Sequence, residues 1–178
     1  MENNETIKNQ LLNKKDEIKK ISNSKIIKRT LMSLINVASS KTSDDYAWTS
    51  VKKLLFELKP KYSFLKHIKI DEIKVINYSI DDIVVDSKFN SIDANMLGMA
   101  IQDIVDLLKK YLGKKAGYFF IQEFKSVLGD KYYTIIKNMG VDLRLVELQN
   151  ELAGVDTGQF KIKDSGSSNI AFIKKTDL

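Results

Sequence analysis

Between Ile92 and Leu128, apolar side chains recur every three to four residues, and this spacing constrains the chain more than any other feature. A 3.6-residue period gathers such side chains on one side of a helix, which must then be covered. The pattern predicts a helix over about 92–112, with Met96, Ala100, Ile104, Leu107, Leu108 and Tyr111 on its buried face and Gly113 at its stop. A second helix is expected over about 114–128, carrying Gly117, Phe120, Ile121, Phe124 and Leu128 and ended by Gly129. Tyr118 and Phe119 fall off that stripe, so this helix is apolar around much of its girth and requires a second layer or another subunit to cover it.

The remaining elements follow from period and punctuation. Helical spacing marks 5–21, about 25–38, and 43–58, where Ser43 caps, Asp44 and Asp45 suit the positive helix end, and Pro60 closes. Shorter helices are expected over 131–138, stopping at Gly140, and from Asp142 to Leu152. Between Phe64 and Phe89 the period drops to two: Ile68 and Ile70 alternate with His67 and Lys69, and Ile83-Val84-Val85 precedes Asp86. Residues 160–173 read as a hairpin turning at Asp164–Ser168. The expected class is helix-rich α+β, with a small antiparallel sheet or meander over about 64–89, plus the C-terminal hairpin, packed on helices. The polar stretch Ser39–Thr42 suggests a division into a basic helical arm, 1–42, and a compact α+β domain, 43–178.

Composition excludes several chemistries. The chain has 178 residues and no cysteine, which removes disulfides and thiolate catalysis or metal binding. No apolar run approaches the ~20 residues of a membrane span, and the polar start Met1–Glu5 lacks the pattern of a signal peptide. A cytoplasmic protein is expected. Phosphate-binding loops of the G-x-G-x-x-G or Lys-Ser/Thr type are missing, and no cofactor is implied. His67 is the only histidine, so a catalytic triad or imidazole metal site would depend on it alone.

Net charge is +6, and the only arginines are Arg29 and Arg144. Lysine is a mobile point charge poorly suited to bidentate readout. The basic front of the chain is followed by an acidic middle, where Asp81, Asp82, Asp86, Asp93, Asp103 and Asp106 face Lys88, Lys109 and Lys110. Such asymmetry suits electrostatic docking.

Three groups of residues are candidate sites. Asp81, Asp82 and Asp86 are the best candidates for a hard-cation site, and Asp86-Ser87-Lys88 has the acid-x-Lys spacing of a nuclease core; a solvated strand edge is the plainer reading. Lys14, Lys15, Lys19, Lys20, Lys28 and Arg29 form a basic interaction face on the first helices. Gly98 and Gly117 leave room beside Phe120 and Phe124 for a ligand pocket, against the commoner role of such aromatics as core. The function these features favour is a non-enzymatic regulatory or protein-interaction module, dimeric through the helices of 92–139, with a small-molecule sensor as a variant. The alternatives are a nucleic-acid-binding protein using the basic N-terminal helices, and a metal-dependent enzyme using the acidic cluster.

Overall fold

The computed structural model describes residues 21–70, 79–117 and 119–144. The helix over 5–21, the strand-like stretch 71–78, the helix beyond Arg144 and the C-terminal hairpin therefore lie outside the described residues.

Helix α1, Asn23–Lys41, is the central element. Ile26, Ile27, Leu31, Leu34, Ile35, Val37 and Ala38 are all buried, as are the polar Thr30 and Ser33. Ser33 Oγ is satisfied by donating to the Arg29 carbonyl at 2.9 Å. These side chains join one hydrophobic core that runs on to Leu143. Residues 23–41 thus share one core with the other described residues. Thr30 and Ser33 interrupt the apolar stripe and make the sequence look half-solvated, although both face the interior.

Helix α2, Asp44–Leu58, begins where Ser43 Oγ accepts from the Tyr46 amide at 3.3 Å and buries Ala47, Trp48, Val51, Leu54 and Leu55. Two three-residue strands follow. Strand β1, Ile68–Ile70, pairs antiparallel with β2, Ile83–Val85, in the register Ile68–Val85, Lys69–Val84 and Ile70–Ile83. Alternation turns Ile68 and Ile83 into the core and leaves Lys69 and Val84 outside. The flanks of the sheet are 3-10 turns at Ser63–His67, Ile80–Asp82 and Ser87–Ser91, each tightened by local hydrogen bonds.

Helix α3, Ala94–Leu112, occupies the expected span, but its buried face is rotated. Leu97, Gly98, Ala100, Ile101, Ile104, Val105, Leu108 and Leu112 face inward, whereas Met96 is 40% exposed. After α3 the chain makes a 3-10 turn over Gly113–Ala116, then bends at Gly117, whose φ of 71° is left-handed. Helix α4, Phe120–Leu128, therefore starts later than its spacing suggests. Helix α5, Asp130–Asn138, follows at once and buries Ile135 and Ile136. Helix-rich α+β describes the result. Among the described residues no helix is long and apolar enough to cross a membrane.

Candidate functional site

Each of the three aspartates proposed for a cation is committed to the backbone or to a lysine nearby. Asp82 accepts from the Ser79 amide at 2.6 Å, closing a capping box. Asp86 accepts from the Lys88 amide at 2.8 Å, and that bond holds its carboxyl below the ordinary range. Asp81 is exposed and pairs with Lys28 at 3.4 Å. Among the described residues no three His, Cys, Asp or Glu side chains converge to hold a metal ion. Asp82 and Asp86 thus serve tight turns, and Asp81 serves an exposed ion pair.

The basic face divides in the same way. Lys14, Lys15, Lys19 and Lys20 lie outside the described residues. Lys28 is held by Asp81, and Arg29 Nη2 donates to the Val127 carbonyl at 2.7 Å, in the last turn of α4. A cation there offsets the negative end of the helix dipole. Arg29 thus ties α1 to α4.

Nor do the four pocket residues line one cavity. Phe120 and Phe124 are fully buried core. Gly98 faces the turn after α5: a Cβ at this position would lie 1.9 Å from the Met139 carbonyl oxygen. Gly117 is exposed at the bend before α4.

An open groove of about 350 Å³ lies instead on the outer side of α3, lined by Lys61, Tyr62, Met96, Met99, Gln102, Asp103 and Gly140. The rotation of α3 creates it. Met96 and Met99, one turn apart, stand 40% and 50% exposed. The rim is polar. Asp103 Oδ2 accepts from Lys61 Nζ at 2.6 Å and from the Tyr62 hydroxyl at 2.9 Å. The Asp103 carboxylate raises the Lys61 ammonium above its ordinary value, while burial, followed by that same carboxylate, raises the Tyr62 phenol. Gln102 Oε1 accepts from the Asp142 amide at 2.9 Å and fixes the far wall.

Comparison with protein families, curated proteins and solved structures found no match. The site's own chemistry must therefore carry the functional reading. Two flexible thioethers beside a Tyr ring form an adaptable apolar floor. The ion pair at its edge gives direction to whatever docks. The groove holds no converging nucleophile and base, and its only carboxylate is already paired. Sequence reasoning missed Lys61, Tyr62, Met99, Gln102 and Asp103 as a set, because they come from two elements. The one readable signal was Met96, Met99 and Asp103 at helical spacing.

Proposed function

We propose that this chain is a non-enzymatic protein-interaction module that pairs with a second copy of itself through the groove on α3. The observation that carries the reading is the exposure of Met96 and Met99 beside that groove. Large apolar side chains grouped on a surface favour being covered. The rim supports a like partner: it presents both a cation, Lys61, and an anion, Asp103, which a two-fold axis would set opposite one another in exchanged pairs.

Light scattering on the full chain eluting from a sizing column tests this. The expected result is a mass that rises toward twice the chain's with concentration and returns to one chain in Met99→Lys. A mass of one chain at every concentration would overturn the proposal. Methionine at position 99 makes no demand on the core, so the variant should retain the wild-type helical signal.

A further inference from the structure

The outward side of α2 carries two aromatic rings that the core does not use. Phe56 is 71% exposed and Tyr46 44%, while the opposite side of the helix supplies Ala47, Trp48, Val51, Leu54 and Leu55 to the interior. Lysines accompany these rings. Lys59 Nζ lies 5.6 Å from the centre of Phe56, and Lys115 Nζ lies 5.8 Å from that of Tyr46. Lys53 Nζ lies 5.1 Å from the ring of Tyr111, at the end of α3. The Tyr46 hydroxyl donates to the Tyr111 carbonyl at 3.1 Å, so the start of α2 and the end of α3 form one surface. Lys110, Lys114 and Lys115 are exposed along the α3 side of it.

We propose that this ribbon of aromatic and lysine side chains is a docking surface for single-stranded nucleic acid, bound without sequence preference. Exposed rings interleaved with ammonium groups match a strand whose bases stack and whose phosphates need counterions. Tyr46 and Phe56 are ten residues apart, or about 15 Å along the helix axis, room for a few splayed nucleotides. A duplex offers the rings no free base faces. No arginine lies on the ribbon, which removes the side chain best suited to reading base edges. A lysine on an exposed ring is weakly held and gives way to a stacked base. The acidic side chains in reach are Asp44 and Asp45 at the start of α2, and Glu57, which Lys53 approaches at 3.9 Å. They narrow the basic track without closing it.

The test is fluorescence anisotropy with the full chain and a labelled oligothymidylate, compared with a duplex of the same length and with anionic phosphatidylserine vesicles. The single strand should bind more tightly than the duplex, and its affinity should fall steeply with added salt. Phe56→Ala should weaken binding roughly tenfold. Lys114→Gln with Lys115→Gln should reduce the salt dependence by about 0.7 per lysine removed. Met99→Lys disturbs only the groove and should leave oligonucleotide binding above the wild-type half-value, so the two proposals fail separately. Tyr46→Ala removes a hydrogen bond between helices; Phe56→Ala removes none and is the decisive variant. Absence of a complex at low salt overturns the proposal. So does binding of strand and duplex alike with no loss in Phe56→Ala, which would be diffuse charge attraction. Phe56-dependent binding to vesicles without binding to the strand would assign the ribbon to a lipid surface instead.

Discussion

A methyl group added at position 98 would meet the Met139 carbonyl oxygen at 1.9 Å, a distance no relaxed side chain tolerates. The neighbour is backbone, anchored by Met139 and Val141 amides that donate to carbonyls in α5, so it cannot swing away. Gly98→Ala should cost on the order of 2–3 kcal/mol, as overpacking does, read as a fall in the urea midpoint at unchanged slope. Unchanged stability would mean that α3 and the α5 turn are not in contact there. Asp106 gives a second, milder prediction. Burial, joined by the like charge of Asp103, holds its carboxyl above the ordinary range despite the opposing Gln102 bond. The folded form therefore keeps its proton to higher pH than the unfolded chain does. Stability falls as pH rises through that window, and above it the ionised group is a standing cost. Asp106→Asn should raise the melting temperature at neutral pH and make no difference below the unfolded carboxylate's range. The group is about half buried, so solvent screening limits the gain to roughly 1–2 °C. An equal gain at both pH values would trace the effect to packing.

At the scale of elements, legibility depended on whether the signal was local. Helix α2 could be read to within a residue because Ser43 caps it, Asp44 and Asp45 open it, and Pro60 follows it. The span of α3 was equally plain, but its orientation was not. Met96-Leu97-Gly98-Met99-Ala100-Ile101 is apolar in every direction, so periodicity alone does not choose the buried side; packing against α1 and α2 does. The groove follows from that choice, which explains why its residues escaped the sequence. The β stretch was legible as a small antiparallel sheet. Ile and Val give period two, while Ser79 and Asp86 bond to nearby amides in the 3-10 segments on either side of β2. Two of the acidic side chains, Asp82 and Asp86, hold these turns. Gly117 broke a continuous apolar pattern because its left-handed φ ends one segment before α4 begins.

For the whole molecule, the question with most consequence is what α1 contributes. A break in polarity at Ser39–Thr42 invites a division into arm and domain, yet α1 packs on α2, α3, α4 and α5. Its Ile26, Ile27, Leu31, Leu34, Ile35 and Val37 are essentially without exposed surface. At about 1.5–3 kcal/mol for each buried aliphatic side chain, these six contribute on the order of 10 kcal/mol. A domain of ordinary stability has about 5–15 kcal/mol to lose. Lys41 also pairs with Glu123 at 2.8 Å, and Arg29 holds the end of α4, so electrostatic ties are lost with the helix. A chain starting at Ser43 should therefore show no cooperative unfolding transition in urea when followed by circular dichroism, and should expose the faces of α2 and α4 that α1 covers. A sigmoidal transition with a midpoint near that of the full chain would place α1 outside the core and restore the boundary at Thr42. Either outcome bears on both proposed surfaces, because α1 braces α2 and α3 from behind and so holds the methionine groove and the lysine–aromatic ribbon in place.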